Sequence, residues 1–206
     1  MMTHIKFINK SMNRNLPQVF ITANNEISAF NSLVDGIAWR VIKKIGRGSI
    51  ANFYFDTDFT IRAGWDNGVN LTRLLPAIPG KKYEVTQDDT GVVLEEMGNS
   101  ADQNIIELVN NICVDNGLLA QLYNDNKIIM GKKIVGYKQS AVFKPARKLY
   151  WGLASEICEG KGLASESAIL NTSDLFELDL DGVSEVLVSL NGNARGGYYF
   201  QVESRS

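Results

Sequence analysis

The sequence predicts an all-β fold, and three observations support this prediction. Apolar and polar residues alternate over many short segments, clusters of turn-forming residues separate these segments, and the second half of the chain resembles the first. Alternation with a period of two is typical of strands that bury one face. Short strands with frequent turns are typical of β-sandwiches and barrels.

The predicted strands share this alternation and lie between turn clusters such as DNG at 66–68 and NDNK at 124–127. In chain order they cover residues 5–8, 19–21, 37–41, 51–55, 59–63, 83–85, 92–94, 118–123, 141–143, 149–153, 175–180, 185–190 and 198–202.

Two segments have a pattern that also suits a helix. Residues 100–111, SADQNIIELVNN, have capping-box spacing between Ser100 and Gln103, which favours a helix. We nevertheless predict a strand there, because the segment aligns with a predicted strand of the first half. For residues 24–34, NNEISAFNSLV, the pattern predicts a short helix or a long loop.

The two halves of the chain align in the same order. The aligned segments are 45–63 with 135–153, 5–9 with 106–110, and 82–85 (KYEV) with 175–178 (LFEL). Collinear matches in several separate places indicate an internal duplication. The offset between partners changes in a way that places extra residues of the first half around residues 23–37.

Each half supplies about seven short strands in about 100 residues, which is the inventory of an immunoglobulin-like domain. We therefore predict two tandem immunoglobulin-like antiparallel β-sandwiches that arose by internal duplication. The predicted domains are residues 1–101 and 102–206. One large β-sandwich is the alternative.

Composition limits the location and the partners. The chain has 206 residues, a net charge of −2, and no apolar run long enough for a membrane span or a signal peptide. These features predict a soluble, cytoplasmic protein without a transmembrane segment, with release by another route left open. The acidic balance also argues against nucleic acid as a partner.

No motif indicates catalysis. His4 is the only histidine, which excludes a histidine-based triad and an all-histidine metal site. Neighbouring carboxylates such as Asp88 and Asp89 lack the spacing of a calcium loop, and aspartate beside a turn binds the local backbone. We therefore expect no catalytic residue, no metal and no cofactor, with a carboxylate-based hydrolase as the least favoured alternative.

Two basic segments interrupt the otherwise mixed charge. Residues 40–55 and 132–148 contain several lysines and arginines and no acidic residue. Such segments either bind an anionic polymer or form a solvated strand face whose lysines prevent edge pairing. The acidity of the whole chain favours the second interpretation.

A tryptophan at the end of a predicted strand marks a candidate ligand site. Trp65 opens the loop WDNGVN, where its ring would lie beside a carboxylate and two amides. An aromatic face next to such groups suits a sugar, although a tryptophan that caps the core is the alternative. We predict a ligand site formed by Trp65, Asp66, Asn67 and Asn70 at the end of the first sandwich.

The sequence therefore predicts a non-enzymatic binding or recognition protein whose ligand is a glycan or a protein surface. Two alternatives stay open. A structural, self-assembling protein is one of them, because exposed strand edges would allow a homo-oligomer to form. A toxin-like protein that binds a membrane surface is the other.

Overall fold

The computed structural model describes residues 1–12, 17–27, 31–165 and 175–206, and it confirms the all-β prediction. One short helix, α1 (Ser32–Asp35), lies in the segment predicted as a short helix or a long loop, of which residues 28–30 lie outside the described residues. Within the described ranges, none of the helical segments has the length and apolar character that crossing a membrane requires.

The strands of the described ranges are numbered in chain order. They are β1 (Thr3–Asn9), β2 (Gln18–Asn25), β3 (Arg40–Ile42), β4 (Ile50–Phe55), β5 (Phe59–Trp65), β6 (Asn70–Leu71), β7 (Leu75–Ala77), β8 (Lys81–Asp88), β9 (Gly91–Asn99), β10 (Ile106–Asn110), β11 (Leu118–Asn124), β12 (Lys127–Val135), β13 (Ser140–Phe143), β14 (Pro145–Ala154), β15 (Phe176–Asp179), β16 (Glu185–Asn193) and β17 (Gly197–Arg205). Strand β10 confirms the predicted strand over residues 106–110 of this segment, whereas residues 101–104 form a turn.

These strands form four mostly antiparallel sheets. Sheet I has the order β17-β16-β1-β4, sheet II β15-β14-β2-β3, sheet III β9-β8-β10-β13, and sheet IV β12-β11-β5-β6, with β7 also paired to β5. The pairs β1/β16 and β8/β10 are parallel.

Sheets I and II pack against each other through aromatic side chains, and we call this pair the outer sandwich. The Trp151 ring of β14 lies 5.9 Å from the Phe7 ring of β1 and 5.8 Å from the Phe200 ring of β17. Trp151 and Trp39 are fully buried. The strands of the outer sandwich come from both ends of the chain, residues 3–55 and 145–205.

Sheets III and IV form the central sandwich, whose strands come from one continuous stretch, residues 59–143. Tyr83 of β8 reaches from sheet III to sheet IV. Its hydroxyl donates a hydrogen bond to the carbonyl of Pro76 (2.9 Å) and accepts one from the N–H of Ile78 (3.0 Å). Burial raises the pKa of Tyr83 above its usual range.

The division of the chain differs from the expected tandem arrangement. Each of these four sheets combines strands of residues 1–101 with strands of residues 102–206. Either half alone would therefore hold only part of each sandwich. The physical reason is that alternation predicts which face of a strand is buried, whereas the choice of a distant partner strand depends on tertiary packing.

The two sandwiches repeat one strand order with the halves exchanged. Sheet I has the order β17-β16-β1-β4, and sheet III has the order β9-β8-β10-β13. Where sheet I has a strand of residues 102–206, sheet III has a strand of residues 1–101 at the same place, and the reverse is also true. The β8–β9 hairpin therefore corresponds to the β16–β17 hairpin. The alignment of residues 82–85 with 175–178 was wrong, because β15 pairs with β14 in the way that β7 pairs with β5.

Two buried asparagines make the same hydrogen bonds in the two sandwiches. Asn9, at the end of β1, donates from Nδ2 to the carbonyl of Ile45 (2.9 Å), and Asn110, at the end of β10, donates to the carbonyl of Val135 (2.8 Å). Each side-chain oxygen accepts the backbone N–H two residues further on, at 2.9 Å in both cases. The two acceptor residues, Ile45 and Val135, are the first residues of the aligned segments 45–63 and 135–153.

The first crossover, residues 55–59, carries the chain from β4 of the outer sandwich to β5 of the central one. Asn124, at the end of β11, is only 1% exposed. Its amide donates to the carbonyl of Asp56 (2.6 Å) and accepts the N–H of the same residue (3.4 Å). The rings of Phe55 and Phe59 lie 6.4 Å apart, so the hydrophobic core continues through the crossover.

The second crossover, residues 143–145, returns the chain from β13 to β14. Asn25, at the end of β2, donates from Nδ2 to the carbonyl of Val142 (2.9 Å) and accepts the N–H of Lys144 (2.6 Å). The N–H of Glu26 also donates to the Lys144 carbonyl (3.0 Å). Each passage between the sandwiches is thus fixed by one buried asparagine amide.

The arrangement of the sheets predicts which fragments fold. Residues 57–144 are expected to fold alone, because they contain all strands of sheets III and IV. Residues 1–101 and 102–206 are each expected to stay unfolded alone and to fold when mixed, because each holds part of every sheet. Far-UV circular dichroism and size-exclusion chromatography test this. A folded, monomeric fragment 1–101 would contradict the strand exchange.

The substitution Asn110→Ala is expected to lower the free energy of unfolding by about 2–4 kcal/mol. It removes two buried hydrogen bonds and takes a donor away from the Val135 carbonyl, and each such loss typically costs about 1–3 kcal/mol. Chemical denaturation measures the change. The matched control is Asn104→Ala, since Asn104 is exposed and its side chain bonds only to Asp102 among the described residues. Equal effects of the two substitutions would contradict this role of Asn110.

Candidate functional site

The loop predicted to bind a ligand follows strand β5 of the central sandwich. Backbone pairing between Trp65 and Asn70 closes the loop. Asp66, Asn67 and Gly68 all have left-handed backbone conformations, with φ of 51°, 57° and 84°. These three residue types tolerate this region better than other residues do. The DNG sequence therefore turns the chain tightly at the end of β5.

The four predicted site residues lie together but differ in their contacts. Trp65 is half-buried and packs against the core, whereas Asp66 and Asn67 are exposed. Asn70 donates a hydrogen bond from Nδ2 to the Asp66 carboxylate, so these two side chains bind each other. Trp65 and Asn67 line a cleft, and Asp66 and Asn70 lie outside its lining.

The cleft has a volume of about 560 Å³, and residues of the second half form its opposite wall. Asn116 and Gly117 contribute the turn before β11, and Lys133 and Ile134 belong to β12. Sequence analysis did not connect these residues with Trp65, because only the pairing of β5 with β11 brings them together. The dipeptide NG at 116–117 was the available signal, since it marks a turn.

A β-bulge in β12 shapes this wall. Between the pairs Leu118/Val135 and Ala120/Lys132, β12 has one residue more than β11. Ile134, in the bulge, has a φ of +63°, which is strained for a β-branched residue. Its side chain is 69% exposed. The strained backbone thus displays an apolar side chain at the cleft instead of burying it.

The substitution Ile134→Gly is expected to raise the free energy of unfolding by about 1 kcal/mol. Glycine adopts a positive φ without strain, and this relief exceeds the entropy that glycine adds to the unfolded chain. Chemical denaturation measures the change. The control Ile134→Ala keeps Cβ and is expected to change stability little. A destabilised glycine variant would show that packing of Ile134 outweighs its strain.

A second, larger groove of about 880 Å³ adjoins the cleft and shares Asn67 and Lys133 with it. Arg62 of β5 lies in this groove. Its Nε donates to Oε1 of Gln121 (3.3 Å), and its guanidinium lies 4.7 Å from the centre of the Tyr123 ring. The Tyr123 hydroxyl donates to the same oxygen (2.9 Å), and burial raises the pKa of Tyr123. This cluster therefore carries the single positive charge of Arg62.

The cations of the two basic segments have different partners. Several of them bind groups of the protein itself. Arg147 donates to the carbonyls of Met1 and Leu180, and Lys138 donates to Asn111. Lys148 pairs with Glu177, and Arg40 pairs with Asp125. Lys132 and Lys133 instead line the groove. The charge of the segment 132–148 is thus divided between structural contacts and the groove.

The carboxylates next to turns make local contacts, as the sequence predicted. Asp88 accepts hydrogen bonds from the hydroxyl (2.6 Å) and the N–H (2.7 Å) of Thr90, and these bonds lower the pKa of Asp88. Asp179 accepts the N–H of Asp181 (2.9 Å). Among the described residues, no group of three or more histidine, cysteine, aspartate or glutamate side chains is placed to hold a metal ion.

Neither the sequence nor the fold matches a family model, a curated protein or a solved structure.

Proposed function

We propose that this protein is a non-enzymatic recognition protein that binds a glycan in the cleft beside the Trp65 loop. The observation that carries the proposal is that a partly exposed tryptophan ring and the amides of Asn67 and Asn116 line one cleft. The C–H face of a sugar packs on an aromatic ring, and its hydroxyls bind amide donors and acceptors.

The conformation of the loop supports this role. Three successive left-handed residues and the hydrogen bond from Asn70 to Asp66 hold the loop in one shape before a ligand arrives. A loop that is already ordered loses less conformational entropy on binding. Affinity for one small sugar is still expected to be weak, on the order of millimolar, so useful binding requires several copies.

The lining of the cleft supports binding over hydrolysis. Its described residues include asparagine, tryptophan, lysine and apolar side chains but no carboxylate, histidine or cysteine. Hydrolysis of a glycosidic bond commonly uses a pair of carboxylates. A site with this lining can hold a sugar without supplying the groups that cleave it.

The repeated strand order supports an internal duplication in which the two copies exchanged strands. Each copy contributes its first four strands to one sandwich and its later strands to the other. The immunoglobulin-like character of each sandwich stays a prediction. The segment that aligns with WDNGVN reads SEICEG, at residues 155–160, and has neither tryptophan nor amide. Ligand binding is therefore proposed for the cleft beside the Trp65 loop, which both copies line, and not for the equivalent segment 155–160 of the second copy.

The substitution Trp65→Ala is expected to abolish retention on a glycan array and to lower the free energy of unfolding by no more than about 2 kcal/mol, because the ring packs against the core but stays partly exposed. The ring supplies the stacking face, and its loss removes only partial burial. Tyr199→Ala is the control, because Tyr199 is an exposed aromatic residue on β17. If Trp65→Ala instead lowers stability by about 3–5 kcal/mol, Trp65 is a core residue and the proposed site is wrong.

A further inference from the structure

The groove beside the cleft is lined by an excess of positive charge. Lys132, Lys133, Lys161 and Arg62 line it, and Asp35 is the one carboxylate among the described lining residues. Four cations that face one concave surface attract an anion more strongly than separate surface lysines do.

The three groove lysines have no ion-pair partner among the described residues. Among the described residues, six other lysines each lie within 4.0 Å of a carboxylate: Lys6, Lys10, Lys81, Lys82, Lys127 and Lys148. Lys43, Lys44, Lys138 and Lys144 have no such partner there, but they do not line the groove. Carboxylates near the groove are committed to other groups. Asp35 accepts the N–H of Asn31 (3.0 Å), and Glu159 pairs with Lys127 (2.7 Å). Four cations and the one carboxylate of Asp35 thus leave the groove with an excess of positive charge for a ligand.

The β-bulge explains how two consecutive lysines reach the same groove. Successive residues of a regular strand point to opposite faces of the sheet. Lys132 and Lys133 both line the groove, because the bulge between Lys132 and Val135 interrupts the alternation. Arg62 is already held by Gln121, so one guanidinium is in place before an anion arrives.

We infer that the groove binds an acidic saccharide, one whose sugar rings carry sulfate or carboxylate groups. The inference rests on the proposed function, because the groove and the cleft share Asn67 and Lys133. A saccharide chain that stacks one ring on Trp65 places its next units among the groove lysines. Lysine and arginine bind sulfate and carboxylate through charge-assisted hydrogen bonds.

The shape of the surface favours a saccharide over an anionic membrane. Ile134 lines the cleft and Val69 follows the lining residue Gly68, and 69% and 82% of their surfaces are exposed. These apolar side chains, and not the groove cations, are the ones that a flat bilayer would contact. The cations line a groove of about 880 Å³ that a bilayer does not enter and a narrow polymer does. The net charge of −2 argues against a long nucleic acid, which would meet acidic surface beyond the groove.

Isothermal titration calorimetry with a heparin-derived hexasaccharide tests the inference, with maltohexaose as the neutral probe. The unsubstituted chain is expected to bind the sulfated probe more tightly than maltohexaose.

The triple substitution Lys132→Gln, Lys133→Gln, Lys161→Gln is expected to raise the Kd for the sulfated probe about 100-fold, since each lost charge-assisted contact costs up to about tenfold. The matched control, Lys43→Gln, Lys44→Gln, Arg47→Gln, removes the same charge from exposed residues elsewhere and is expected to change Kd less than about threefold. Circular dichroism checks that both variants fold.

Three outcomes would overturn the inference. Equal weakening in the two triple variants would indicate attraction to overall charge. A second outcome is that the protein binds phosphatidylserine vesicles but not the hexasaccharide, and that Val69→Ser and Ile134→Ser abolish vesicle binding. This result would assign the surface to a membrane. A third outcome is that single-stranded DNA of the same charge binds as tightly as the hexasaccharide. The groove would then bind anionic polymers in general and not an acidic saccharide in particular.

The same measurements distinguish failure of the proposed function from failure of the inference about the groove. If Trp65→Ala leaves hexasaccharide binding intact while the groove variant loses it, the groove binds an acidic saccharide and the cleft proposal fails. The opposite result has three parts: maltohexaose binds, Trp65→Ala abolishes that binding, and the sulfated probe binds no more tightly than maltohexaose. In that case the proposed function stands and the inference about the groove fails.

Discussion

One buried asparagine amide fixes each passage of the chain between the two sandwiches. Asn124 binds the backbone of Asp56, and Asn25 binds the backbone on both sides of Phe143. The first crossover leads β5 away from the sheets of β1–β4, and the second leads β14 away from the sheets of β10–β13. As a result β5 pairs with β11 and β14 pairs with β2, in both cases across the two halves. The pairing of β5 with β11 then brings Trp65 beside Asn116 and the bulge of β12. The cleft and the groove exist only because of this exchange.

The fold could be predicted from the sequence where the information is local. Alternation identified β1, β4 and β11, and the internal match identified β10 against a helical capping pattern. Strand β12 was missed, because KIIMGKKIV has a run of apolar residues, an internal glycine and a bulge that break the period of two. Strand β7 was missed because it is short and contains Pro76. Partner choice was out of reach, since residues far apart in the chain determine it.

The candidate site shows the same limit. Trp65 and Asn67 could be placed side by side from the sequence, because one tight turn contains both. Lys133 and Ile134 could not, since their position depends on strand pairing and on a bulge. The sequence also could not show that Asn70 binds Asp66, because side-chain direction in a left-handed turn depends on its backbone angles. Whether the four residues bind a ligand stays a prediction.

Strand exchange also sets the order in which the molecule can be completed during synthesis. Strands β1 to β4 leave the ribosome first, but their central partners β14 and β16 are made last. Until then they can form only the ribbons β1/β4 and β2/β3, and a two-stranded ribbon is marginally stable in water. At about 5–20 residues per second, this delay lasts several seconds. The central sandwich can close during that time, so the oldest part of the nascent chain is the last to become ordered.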